Sequence, residues 1–244
     1  MVDIFYKSYR KDFKLLKYSL ESIKKNVEGY NNIIILIPER DRELFDTRDM
    51  PERTLIHYVD EYGNGYLFQQ WCKVSAYNYS SSEYILFADS DCIFDHKINV
   101  NDYIIEGKPE ILHTDYSKVG DAICWREPTE RFIKQPLQFE FMRRNCLIYH
   151  RTTLVALSKF DSKLEDKIMI SNRFSEFNAI GAFAYVYEND KYRFTNTDEW
   201  QYVRPLAIQL WSWCESGNDE VHKYERKRAL DTINETLELN LTEL

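Results

Sequence analysis

Apolar and polar positions alternate in blocks over the first ninety residues. "VDIFY" (2–6) reads as a strand and is followed by the polar loop "KSYRKD". Phe13, Leu16, Leu20 and Ile23 then recur at spacings of 3, 4 and 3, which places them in one stripe of an amphipathic helix. "NIIILIP" (32–38) is apolar without interruption, the pattern of a strand covered on both faces. "TLIHYVD" (54–60) predicts a third strand and "YILFA" (84–88) a fourth. Between them "YLFQQWCKVSAYNY" (66–79) predicts a helix whose buried side carries Phe68, Cys72 and Ala76. Strands alternating with helices predict an α/β fold with a mostly parallel central sheet flanked by helices.

The rest of the chain is less periodic. "RNCLIYHRTTLVALSKF" predicts a strand running into a helix and "FSEFNAIGAFAYVY" a helix. Residues 221–239 predict a closing amphipathic helix with Tyr224, Leu230, Ile233 and Leu237 along one stripe, packed on the domain or on a second copy. With only 7 Gly and 6 Pro and no repeat or linker, the 244 residues read as one domain.

Composition then narrows the function classes. Thirty-two basic against 40 acidic residues give a net charge of −8, which argues against binding nucleic acid by general basicity. The local basic clusters 143–151 and 222–228 read as solvated faces or as contacts for an anionic acceptor or a diphosphate. Five scattered cysteines with no C-x-x-C pair support neither a disulfide framework nor a zinc site. The first residues, "MVDIFYKSYRKD", lack the apolar core of a secretory signal, and no span approaches the ~20 apolar residues of a membrane helix, so a cytoplasmic protein is expected. P-loop, dinucleotide-binding and nucleophile-elbow motifs are missing, which argues against those three enzyme classes.

The chemistry concentrates in "YILFADSDCIF". Asp89 and Asp91 stand at the end of the strand expected to be central, where ligands of open α/β sheets bind. Two carboxylates there repel each other and lose hydration unless a positive group compensates. Mg²⁺ or Mn²⁺ does so naturally: each prefers oxygen ligands, uses one or two carboxylates, and fills its shell from substrate phosphates. An isolated D-x-D is more often a turn or a helix cap. The apolar strand before it and the short "CIF" after it are the setting a metal–diphosphate site needs.

At this point the sequence resembles glycosyltransferases of the GT-A (Rossmann-like) fold. "YILFADSDCIF" is similar to their D-x-D segment, "GYLFQQWCKVSAY" resembles the Q-Q-x-x-K-x-x-A helix of a bacterial and viral group of these proteins, and "FSEFNAIGAFAY" resembles a later helix of the same group. The resemblance implies a nucleotide-sugar half at 1–95, an acceptor half at 96–244, and Mn²⁺ or Mg²⁺ as cofactor. It implies Asp91 as direct metal ligand and Asp89 as a contact to ribose or sugar that also meets the metal. Tyr9, Arg10, Lys11 and Asp60 are the expected nucleotide contacts, and Gln70 and Lys73 face the donor, Lys73 pairing with the diphosphate or with Asp89. Glu176 is the expected carboxylate at the acceptor, a general base if the reaction inverts; the other reading is a capping-box glutamate beside Ser175. Trp211 and Trp213 stack on sugar or base, or fill the core. A late histidine ligand expected after "WS" is replaced by Trp213, which leaves aspartate-only ligation, a substitute such as Asp198 or Asp219, or weak metal binding.

The expected activity is transfer of a sugar from a nucleotide-sugar, UDP-linked by default, to a hydroxyl of a glycan, a small molecule or a hydroxymethylated DNA base. The alternatives are a nucleotidyltransferase, disfavoured because "KSYRKD" has no glycine, and a non-catalytic sugar-nucleotide-binding module.

Overall fold

The computed structural model describes residues 1–143, 146–171, 173–197, 205–210 and 220–243. In chain order its main elements begin with strand β1 (Val2–Lys7), helix α1 (Phe13–Asn26), β2 (Ile33–Pro38), β3 (Thr54–Val59), α2 (Gly65–Val74) and β4 (Tyr84–Phe87). Then follow β5 (Cys92–Ile93), β6 (Lys108–Asp115), α3 (Arg126–Ile133), β7 (Phe139–Glu140), β8 (Leu147–His150), α4 (Arg151–Phe160) and α5 (Leu164–Met169). The last elements are α6 (Glu176–Tyr187), β9 (Arg193–Asn196), β10 (Ile208–Gln209) and α7 (Glu220–Leu237).

Five strands form the central sheet in the order β8-β4-β1-β2-β3. β4, β1, β2 and β3 run parallel, with Ile4 opposite Ile33 and Phe5 opposite Phe87. β8 closes the edge antiparallel to β4, pairing Leu147 with Phe87. The sheet is therefore mixed, not the mostly parallel one expected. β5, β6, α3 and β7 lie between β4 and β8 in the chain, which re-enters the sheet from the opposite end.

Period-two alternation sorts the strand side chains into two layers. Phe5, Ile34, Leu36, Ile85 and Phe87 face one apolar cluster, which includes residues of α2, α4 and α6. Ile4, Tyr6, Ile33, Ile35 and Leu86 face the other, which includes Leu16, Leu20 and Ile23 of α1. Burial on both faces explains why β1 and β2 carry no alternating polar positions.

A smaller sheet lies beside the first, with β7 antiparallel and β9 parallel to β6. Gly181 lets α6 approach this region closely: a Cβ there would sit 2.5 Å from Cβ of Phe141. α7 packs within the chain, with Ala229 and Ile233 against Leu15 of α1 and Ile93 of β5. The expected stripe is corrected at one end, since Tyr224 is 65 % exposed. Among the described residues no helix is long and apolar enough to cross a membrane.

Candidate active site

The carboxyl ends of β1 and β4 open into a cleft of about 740 Å³. β4 hands its last sheet hydrogen bond from the Ala88 N–H to the Phe5 carbonyl (3.0 Å), and the chain then turns, the Cys92 N–H donating to the Asp89 carbonyl (3.0 Å). The backbone of D-S-D is thus a tight turn, and both carboxylates line the cleft. Ser90 fixes the turn by donating its hydroxyl proton to, or accepting one from, Ser8 Oγ at 2.8 Å. β10 pairs with β5 just beyond, and Gln209 Nε2 reaches Asp91 Oδ1 at 3.4 Å.

Lys73 is the centre of the arrangement. Its Nζ lies 2.6 Å from Asp89 Oδ1 and 2.8 Å from Glu176 Oε1, and 4.4 Å from the centre of the Phe177 ring. The lysine is 2 % exposed. Burial by itself lowers its pKa, but the attraction of Asp89 and Glu176 and their hydrogen bonds outweigh this and raise it above the ordinary lysine value. An ammonium therefore stands between two carboxylates 103 and 16 residues away in sequence.

Local structure brings these groups in. Asn64 caps α2 by accepting from the Tyr66 and Leu67 N–H groups, which starts the helix that carries Gln69, Gln70 and Lys73. The polar side of α2 faces the cleft, not bulk water: Gln70 is also 2 % exposed and accepts the Glu176 N–H on Oε1 at 3.1 Å. Gln69 Nε2 donates to Asp89 Oδ1 at 3.3 Å. Tyr77, one turn beyond Lys73, packs on the core.

Ser175 caps α6 by accepting from the Asn178 N–H (3.3 Å), so Glu176 is the first helical residue. A capping box needs its glutamate three positions after the cap. That position belongs to Asn178, and the Glu176 carboxylate goes to Lys73. Asn178, fully buried, accepts the Phe141 N–H at 2.9 Å and donates to Glu140 Oε1 at 3.1 Å, which ties the start of α6 to β7.

The cleft also contains groups not singled out in the sequence. Lys7 donates to the Ser8 carbonyl (3.0 Å) and pairs with Glu61 at 3.4 Å. Burial lowers its pKa, partly offset by Cys72 and Glu61. Its signal in the sequence is a lysine closing an otherwise buried strand. Arg143, ion-paired with fully buried Glu140, and the rings of Tyr66, Trp125 and Phe177 complete the walls. Cys92 and Cys146 sit at the base, where a hydrogen bond from Cys146 and burial push the Cys92 thiol pKa up.

Gln70, Lys73, Asp89, Asp91 and Glu176 share this one cleft. Tyr9, Arg10, Lys11 and Asp60 are not among its lining residues. Tyr9 is half-buried and the other three are exposed, and the Arg10 N–H is held by Asp41 Oδ2 at 3.1 Å. The loop after β1 contributes Asp12 instead. Trp211, Trp213, Asp198 and Asp219 lie outside the described residues. His222 is on α7 and does not line the cleft.

A hard divalent cation would find two carboxylates at the turn. Lys73 and Gln69 both engage Oδ1 of Asp89, and no hydrogen bond among the described residues reaches its Oδ2. Among those residues no group of three or more His, Cys, Asp or Glu side chains is assembled for a metal. The donor set fits an ion that draws its remaining ligands from a diphosphate and water, not one enclosed by protein alone. Compared with known proteins, the chain matches no family model and no curated protein.

Proposed function

We propose that the chain is a metal-dependent GT-A-type glycosyltransferase that moves a sugar from a nucleotide-sugar, UDP-linked by default, to an acceptor hydroxyl. The observation that carries this reading is the Lys73 bridge. It holds Asp89 and Glu176, the donor-side and acceptor-side carboxylates, on one ammonium, in the same cleft as Asp91.

In the transfer, the bond between the anomeric carbon and the diphosphate oxygen breaks and a bond from the acceptor oxygen forms. If the anomeric carbon inverts, the acceptor proton passes to the Glu176 carboxylate. Mg²⁺ or Mn²⁺, held by Asp91 and Asp89, would supply charge neutralisation for the departing diphosphate. Lys73 fixes the two carboxylates relative to each other and presents positive charge to the space a diphosphate would occupy. Lys7 and Arg143 add two further cations to the walls, and Tyr66 and Trp125 provide flat apolar faces for a base or sugar.

The test is incubation of the protein with a panel of sugar nucleotides and Mn²⁺. Release of free UDP or GDP supports the reading. Pyrophosphate release from nucleoside triphosphates would replace it with nucleotidyl transfer, and tight binding without turnover would replace it with a binding module.

A further inference from the structure

Resting on the glycosyltransferase reading, we infer that the acceptor is a phosphorylated saccharide, held in a second cavity that adjoins the cleft. This cavity, about 680 Å³, is lined by Glu127, Arg131 and Phe132 of α3 and by Lys167, Arg173 and Phe174. It meets the cleft along two stretches of chain. Cys124 lines the cavity and Trp125 the cleft; Phe174 lines the cavity and Ser175 and Glu176 the cleft. The cavity wall at Phe174 therefore lies two positions along the chain from the carboxylate proposed to receive the acceptor proton.

Charge and shape define the ligand. Three of these six residues are cationic in a chain of net charge −8. Lys167 is paired with Asp161, and Arg131 lies 3.8 Å from Glu127 across an exposed helix face, a weak and screened contact. Arg173 is exposed and has no ion pair among the described residues, and its planar guanidinium is the geometry for a bidentate phosphate contact. The half-buried Phe132 ring, held edge to face against buried Phe174 at 5.4 Å, offers an apolar wall on which the C–H face of a sugar packs.

Reach fits as well. Arg173 and Glu176 are three positions apart, with Phe174 and Ser175 between them, so their Cα atoms lie within ~11 Å of each other. A saccharide of one or two rings with its phosphate on Arg173 can bring a hydroxyl to Glu176 across that span, and the volume is that of a small-ligand site. Among the described residues of the cavity one cation is without an ion pair, too few for a nucleic-acid acceptor, whose affinity rests on several phosphate contacts.

The test is a ³¹P NMR titration of the full chain with glucose 1-phosphate, glucose 6-phosphate and maltose 1-phosphate, with and without UDP and Mn²⁺. Unphosphorylated glucose and maltose, followed by ¹H NMR, serve as controls. At least one phosphosugar is expected to bind, its unphosphorylated form is not, Arg173→Ala is expected to weaken binding by about tenfold or more, and Arg173→Lys to retain part of it. Repeating the titration with a polyprenyl-phosphate-linked sugar in micelles separates a lipid carrier from a soluble ester: binding of only the micellar form assigns the phosphate to a carrier. Equal binding of unphosphorylated sugar, an unaffected Arg173→Ala variant, or salt-sensitive binding of hydroxymethylated duplex DNA in place of phosphosugars would overturn the inference. UDP release by the unaltered chain without Arg173-dependent phosphosugar binding would remove this inference alone. Arg173-dependent binding without nucleotide-sugar cleavage would keep the anion site and remove the transferase reading.

Discussion

Replacing Lys73 with methionine keeps most of the aliphatic volume of the side chain and removes its charge. Asp89 and Glu176, at 2.6 and 2.8 Å from Nζ, then lose their shared counter-ion. Breaking a buried ion pair from one side costs about 3–5 kcal/mol, because the remaining charge is left uncompensated. The Asp89 side chain is 24 % exposed and recovers some hydration, whereas Glu176 at 10 % recovers little. The low end of the range, about 3 kcal/mol, is expected, and for a chain of this size that corresponds to a Tm lower by roughly 6–12 °C. Urea unfolding followed by circular dichroism at pH 7 measures it. Adding Asp89→Leu and Glu176→Met to the lysine variant removes both stranded charges and should restore most of the loss, since replacing a buried charged triad by apolar residues of similar volume is often neutral or stabilising. A cost below about 1 kcal/mol for Lys73→Met, or no recovery in the triple variant, would refute the claim that one ammonium holds the site together.

The same triad gives an alkaline signature. The native state binds the Lys73 proton more tightly than the unfolded chain, so this stabilisation is complete below about pH 10 and fades as pH climbs through the raised native-state value. Unfolding midpoints between pH 9 and 11.5 should fall more steeply in the wild type than in the triple variant. Gly181→Ala places a Cβ 2.5 Å from Cβ and 2.9 Å from Cγ of Phe141, atoms next to the backbone that cannot swing aside. A loss of about 1–3 kcal/mol in denaturant unfolding is expected, and an unchanged midpoint would show that α6 and β7 are not so tightly apposed. Burial pushes the Cys72 thiol up to about 12. At pH 8 iodoacetamide should modify it only after unfolding, while half-exposed Cys124 reacts in the native protein, as peptide mass spectrometry would reveal.

The first half of the fold was legible because β1, β2 and β4 are buried on both faces and α1 carries a clean apolar stripe. The small sheet was not. β6 contains Pro109 and four charged or titratable positions in eight residues, and its parallel partner β9 arrives some eighty residues later, a non-local pairing with no local pattern to announce it. The antiparallel edge strand β8 reads simply as a strand, and its direction is set by how the chain returns, not by its own residues. Within the site, charged residues at strand ends and on a helix flanking the D-x-D were legible, and Gln70, Lys73, Asp89, Asp91 and Glu176 do share one cleft. That Lys73 joins Asp89 to Glu176 follows only from the packing of α2 against α6. Lys7 and Asn178 were hidden for a different reason: a terminal strand lysine and a helical asparagine look like ordinary solvated residues until burial is known. The loop 8–11, expected from the resemblance to contact the nucleotide, sits with Arg10 and Lys11 exposed.

Isothermal titration of UDP into the protein with and without Mn²⁺, repeated on Asp91→Asn, tests the central claim most directly. If the turn after β4 anchors a cation-bridged diphosphate, UDP binds in a Mn²⁺-dependent manner and Asp91→Asn weakens that binding by about tenfold or more while the unfolding midpoint stays near that of the wild type. UDP affinity that is indifferent to Mn²⁺ and equal in both proteins would contradict it.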